Sequence, residues 1–214
     1  MFEKKSIYFE NIRTDIISLV DEGKNKILEI GCGTGNTGSE LKKKGKASEV
    51  IGVDIVPEVV EAAQSKIDRV ICADVEMLNL PLKNEYFDFI LLGDVLEHLK
   101  NPWQVLIYLT QFLKKGGYVI ASIPNVRYWK VVMKLVFKAE WKYSSDGVLD
   151  NMHLRFFTRK SILELIASAN LKVRFICPAT ELQPPNLCKK LNHLTFGLFE
   201  DFLTINYLVK AQKE

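Results

Sequence analysis

Between residues 27 and 123 the chain alternates five times between a short apolar run and a stretch with helical spacing. The runs are 27–30, 50–54, 69–74, 86–93 and 118–123. A strand with one wet face alternates apolar and polar residues, whereas these runs are apolar nearly throughout and are therefore covered on both faces. A helix between successive strands returns the chain to its starting edge, so the strands run parallel. The pattern predicts an α/β fold: a Rossmann-like, doubly wound, mostly parallel sheet with helices on both faces. Such sheets bind ligands outside the carboxyl ends of their strands, and the chemistry-bearing residues are to be sought there.

The first run ends in a glycine-rich turn. Glu29-Ile30-Gly31-Cys32-Gly33-Thr34-Gly35-Asn36 leads from the strand into a helical pattern over 36–45. Glycine accepts positive φ and lets a ligand reach bare backbone, so the turn offers N–H groups to a nucleotide-like molecule at a helix start. The dinucleotide fingerprint G-x-G-x-x-G requires glycine where Asn36 stands, which argues against a nicotinamide-dependent oxidoreductase. Glu29, two residues before the first glycine, sits badly with a pyrophosphate and suits a ligand that carries an ammonium group.

At these residues the chain resembles the class I S-adenosylmethionine (SAM)-dependent methyltransferases. SAM carries an ammonium, a carboxylate and a sulfonium. The cofactor candidates are Glu29 with Gly31, Cys32, Gly33, Gly35 and Asn36 at the turn. Asp54 ends the second run 23 residues beyond Gly31, where an acid can accept both ribose hydroxyls or merely cap a helix. Asp74 ends the third run, with Val75 beside it, and can accept from an adenine amino group or cap a turn. Ile55 offers an apolar face to the ring, and Gly93, Asp94 and Val95 follow the fourth run. Tyr8 and Phe9 either reach toward the ligand or pack in the core. A helix is expected over 4–22.

Within that class the chain resembles the ubiquinone-biosynthesis-type O-methyltransferases through Asp94-Val95-Leu96-Glu97-His98-Leu99, Asn101-Pro102 and Leu113-Lys114-Lys115-Gly116-Gly117. The resemblance implies seven strands with the last antiparallel, and 171–177 and 202–211 would be the sixth and seventh. His153-Leu154-Arg155-Phe156-Phe157-Thr158 resembles a segment of bacterial methyltransferases associated with sugars and surface polysaccharides. Thr158 or Ser161 can cap the next helix, and Ser161 with Glu164 offers a capping box there.

Residues 125–157 and 179–200 are too long for ordinary connections and would roof an acceptor site. Lys130, Lys134, Lys138 and Lys142 recur every four residues among Val131, Val132, Leu135, Val136 and Ala139, an amphipathic helix with a basic stripe. It serves either as a lid with a solvated lysine face, or as a peripheral contact to an anionic membrane or lipid-linked acceptor through 127–142.

A hydroxyl acceptor must lose a proton, and His98 and His153 are the candidate bases. The leading reading is methyl transfer to a hydroxyl of a small molecule, sugar or lipid-linked intermediate. The alternative is a SAM-binding sensor or partner subunit without turnover. With 214 residues and 48% hydrophobic content the chain is read as one domain: N-terminal helix 1–24, core 25–125, then the two insertions. A net charge of +3 gives no reason to expect a nucleic-acid partner. Cys32, Cys72, Cys177 and Cys188 form no C-x-x-C pair, so no metal site is expected, and a cytoplasmic location with reduced thiols is.

Overall fold

β1 (Asn25–Ile30) lies at the centre of a sheet, paired in parallel with β2 (Ala47–Asp54) on one side and β4 (Phe87–Gly93) on the other. The computed structural model describes residues 10–179 and 199–214. β3 (Arg69–Cys72) extends the sheet beyond β2, and β5 (Leu113–Pro124) beyond β4. β7 (Asn206–Lys213) then runs antiparallel between β5 and β6 (Leu171–Pro178). The order is β3-β2-β1-β4-β5-β7-β6, seven strands with only the last reversed, as expected. The chain winds outward in both directions from β1, so a crevice opens between the carboxyl ends of β1 and β4.

Neighbouring residues of β1 serve opposite faces. Leu28 and Ile30 pack with α4 (Pro102–Thr110) and α6 (Arg159–Ser168) through Leu106, Leu109, Ile162 and Leu165. Ile27 packs on the other face with α1 (Thr14–Leu19) and α2 (Asn36–Lys43) through Ile16, Ile17 and Leu41. This double burial is why the strand is apolar throughout. The remaining helices are α3 (Pro57–Ala63), α5 (Trp129–Lys138) and α7 (Glu200–Leu203). Among the described residues, no helix is long and apolar enough to cross a membrane.

Several boundaries differ from the sequence expectation. The helix expected over 4–22 is confined, among the described residues, to Thr14–Leu19. Arg13 leaves helical geometry, and its N–H donates to Thr37 Oγ1 at 3.1 Å. Residues 1–9, with Tyr8 and Phe9, lie outside the described residues, as does most of the 179–200 insertion. β5 starts five residues early, at Leu113. Its pairing with β4 passes from Phe87↔Leu113 to Phe89↔Tyr118, so 114–117 bulge out, and Gly116 at φ +77° makes the bend. β3 stops at Cys72 because Asp74 Oδ1 accepts from the Glu76 N–H and caps a 3₁₀ turn, Val75–Met77. β7 begins at Asn206, since α7 occupies 200–203. α5 ends at Lys138, with Ala139 at φ +50°, so Lys142 lies beyond the helix. Thr158 caps α6, one of the two residues expected to, and the capping box pairs it with Ser161 rather than Ser161 with Glu164.

Candidate cofactor and acceptor site

After Ile30 the chain reverses through Gly31, Gly33 and Gly35 at φ +69°, +53° and +75°, and α2 begins at Asn36. A Cβ on Gly31 would come within 2.7 Å of Val95 Cγ2, so a side chain is excluded by sterics as well as by φ. Asp54 closes β2 beside this turn. Its Oδ2 accepts from the Gly33 N–H (2.9 Å) and its Oδ1 from the Val56 N–H (3.1 Å). The backbone thus fixes the carboxylate, and each oxygen retains a further lone pair to offer a ligand.

These groups face a cavity of about 1270 Å³. Glu29, Gly31, Cys32, Gly33, Asp54, Ile55, Asp74, Val75, Gly93, Asp94, Val95 and His98 all line it. Gly35 and Asn36 do not. Asn36 instead staples the turn from behind, donating through Nδ2 to the Glu10 carbonyl and accepting from Lys66 Nζ, each at 2.8 Å. Cys32 is buried, and burial pushes its thiol well above the usual range, so it is an inert lining group.

Glu29 is the carboxyl group most strongly shaped by the site. Burial pushes its carboxyl up to about 8, against the opposing pull of the Gly38 backbone N–H and the Arg13 guanidinium. Its Oε2 accepts no hydrogen bond among the described residues. A buried acceptor at the wall of a cavity is suited to a donor that arrives with a ligand.

Two residues around Asp94 carry no sequence signal of their role. Arg13 reaches across from the approach to α1: Nη1 meets Asp94 Oδ2 at 2.5 Å and Nη2 meets Asp15 Oδ2 at 2.8 Å. Asn206, from the start of β7, donates to Asp94 Oδ1 at 3.0 Å, and Ser122 donates to the same oxygen at 2.8 Å. Asp94 itself stands at φ +55°, a strained geometry that these three donors hold in place. Neither Arg13 nor Asn206 sits in a motif, and 81 and 112 residues of sequence separate them from Asp94.

The two histidines are brought together, in different roles. His98 ends a 3₁₀ turn, Leu96–His98, and lines the cavity. His153 is buried and lies behind it, the ring centroids 4.8 Å apart. His153 Nδ1 is 3.0 Å from the Val148 carbonyl oxygen, and its Nε2 is 4.0 Å from Glu97 Oε1. Glu97 is only 1% exposed, and its carbonyl accepts from the Leu154 and Arg155 N–H groups, which ties the 140–157 segment to the 3₁₀ turn. One ligand atom from each of Glu97, His98 and His153 falls within 4.8 Å of the others, a donor set of a kind that divalent metals accept. Sequence spacing offered no sign of it, because His153 arrives from 55 residues away.

Residues 28–121 match the sequence profile of a family described as a methyltransferase domain. The mitochondrial ubiquinone biosynthesis O-methyltransferase of Dictyostelium discoideum is 26% identical over 99% of this chain and 67% of that one. This chain carries a methyltransferase domain and resembles the class I SAM-dependent methyltransferases. An uncharacterised protein of Methanocaldococcus jannaschii is 32% identical over 70% of this chain and 65% of its own length. The chain therefore spans about two thirds of the length of these curated relatives. A SAM-dependent methyltransferase from Archaeoglobus fulgidus shares the fold, with a TM-score of 0.67 at 18% identity over 96% of each chain.

The residues present fit this class's cofactor. The glycine cradle leaves bare backbone at the cavity, Glu29 Oε2 is a buried acceptor with no partner among the described residues, and Asp54 holds a backbone-fixed carboxylate at the same cavity.

Proposed function

We propose that this methyltransferase acts on a hydroxyl group of a small molecule, a sugar or a lipid-linked intermediate, with His98 as the general base. The observation that carries the reading is the placement of His98 on the same cavity as the glycine turn, with Nδ1 committed to a carbonyl oxygen. A carbonyl only accepts, so Nδ1 carries the proton, and Nε2 of the neutral ring is the proton acceptor. The O-methyltransferase named in ubiquinone biosynthesis among the relatives supports a hydroxyl acceptor.

Bound in this cleft, SAM supplies a methyl group already activated by its sulfonium. The protein's task is then alignment, exclusion of water and removal of one proton. The turn with Glu29 and Asp54 would hold the amino-acid and ribose portions, Asp74 and Ile55 the adenine. His98 would take the hydroxyl proton as the oxygen attacks. Leu99, Met152 and Leu154 give the acceptor end of the cavity an apolar wall, and Lys100 adds a cation at its rim. An acceptor with an apolar body is the best match to that lining.

Transfer of labelled methyl groups from SAM into fractionated cell extracts, the lipid fraction included, tests the proposal. Label should appear in an alkali-stable methyl ether. Label confined to amines would overturn the hydroxyl assignment, and absence of transfer together with tight SAM binding would favour the sensor alternative.

A further inference from the structure

α5 is amphipathic in sequence, yet the fold covers only part of its apolar surface, through Val131 and the half-buried Trp129. Of its ten residues only Val131 is buried. Val136 is 65% exposed and Phe137 73%, with Met133 beside them also exposed. At about 100° per residue, Val136, Met133 and Phe137 form one arc pointing away from Val131, and Lys130, Lys134 and Lys138 form the adjoining arc. No acidic residue falls within the helix. Among the described residues no ion pair engages these lysines, whereas nearby Arg127 is held by Asp201 at 3.3 Å. A solvated lid helix would keep its apolar side against the domain; this one turns three apolar side chains outward beside three cations without a carboxylate partner among the described residues, Lys130 lying 5.8 Å from the Trp129 ring.

The exposed apolar surface continues toward the cleft. Beyond α5, Trp141 makes an edge contact with Phe156 at 5.2 Å, and Tyr143 lies 6.2 Å from the same ring. Phe156 neighbours His153, which abuts His98 at the cavity, and exposed Met152 and Leu154 form part of the cavity lining.

We propose that this face docks on an anionic lipid bilayer, with Phe137, Val136 and Met133 entering the headgroup boundary and the lysines meeting lipid phosphates. The charge pattern favours this occupant. Apolar side chains bordered by cations match an interface that is apolar below and negative above, whereas a second copy of the chain would set lysine against lysine. The catalytic consequence, that a membrane-held acceptor enters the cavity past Met152 and Leu154, rests on the methyltransferase reading; the docking itself does not.

The test is co-sedimentation of the full chain with phosphatidylcholine vesicles, with and without phosphatidylglycerol, at low and high salt. Binding should require the anionic lipid and weaken with salt. Each lysine near such a surface contributes about 1 kcal/mol, a factor of about five, so Lys130→Glu with Lys134→Glu should weaken binding roughly thirtyfold or more. Phe137→Ser should also release the protein while all three lysines remain. Melting temperature and SAM affinity should stay as in the parent, because these side chains support neither core nor cleft. Equal binding of variants and parent, or no binding of the parent, would overturn the proposal. So would a parent dimer that Phe137→Ser dissociates without any vesicle binding. Loss of SAM binding by the parent would instead strike the methyltransferase reading and leave the vesicle result standing.

Discussion

The ring of His98 is held by a hydrogen bond from Nδ1 to the carbonyl oxygen of Met152, 3.0 Å away and 54 residues later in the chain. The bond joins the motif after β4 to the segment that carries His153, and it decides which ring nitrogen can accept a proton.

His98→Ala should lower kcat by about two to four orders of magnitude while leaving the SAM dissociation constant within about twofold, the signature of a lost proton acceptor. His153→Ala should act differently: a lower melting temperature from the gap behind His98, and a smaller loss of turnover. Steady-state kinetics with calorimetry separates the two, and assays with and without EDTA separate proton transfer from metal ligation by Glu97, His98 and His153. Equal kcat losses in both variants, both chelator-sensitive, would contradict the general-base assignment.

Glu29 makes stability pH-dependent. Its folded value, about 8, lies above the ordinary carboxyl value of 4.5, so between those limits the folded state holds a proton that the unfolded state has released. Its contribution to stability is therefore fully present below about pH 4.5 and is lost as pH rises toward 8. Glu29→Gln removes that slope, on the order of a few kcal/mol across the window. Melting curves from pH 5 to 8 should converge at the acid end and favour the variant at pH 8.

The same carboxyl predicts proton release on cofactor binding. At pH 7 Glu29 is mostly protonated without ligand, and an arriving ammonium favours the ionised form. Calorimetry in buffers of different ionisation enthalpy should register close to one proton released per SAM bound. Glu29→Gln should release none and bind more weakly.

Asp54→Ala should weaken SAM by roughly 1.5–3 kcal/mol, since charged hydrogen bonds to a ribose are lost. It should also lower the melting temperature, because the Gly33 and Val56 N–H groups lose their acceptors. Asp54→Asn should retain more stability than affinity. Unchanged SAM affinity in the alanine variant would remove Asp54 from the ribose role.

Asp94→Ala should destabilise the fold by about 1–3 kcal/mol, through loss of the acceptor for Arg13, Ser122 and Asn206 and through a side chain ill suited to φ +55°. Asp94→Asn should cost less, as asparagine tolerates that backbone region. Chemical denaturation of the two variants measures the difference.

Much of the fold was legible in the residues themselves. The runs around Ile27, Val50 and Phe89 announced strands covered on both sides, and Gly31, Gly33 and Gly35 announced a turn that only glycine makes. Asp54 was readable because the distance from a glycine turn to the next strand end is set by one helix and two loops. Arg13 was not, since an arginine outside any periodic pattern carries no mark of its partner. The early start of β5 was hidden too, because Lys114-Lys115-Gly116-Gly117 signals a stop as well as it signals a bulge.

Local sequence, through hydrophobic period and glycine conformation, determined the parallel sheet, the glycine turn after β1 and the acids at the strand ends. Only the tertiary structure decided that His98 faces the cleft while His153 stands behind it, that Arg13 closes on Asp94, and that α5 turns Phe137 outward. Periodicity and backbone preference act within a few residues. Which side chain meets which across 54, 81 or 112 positions follows from how helices settle on the sheet.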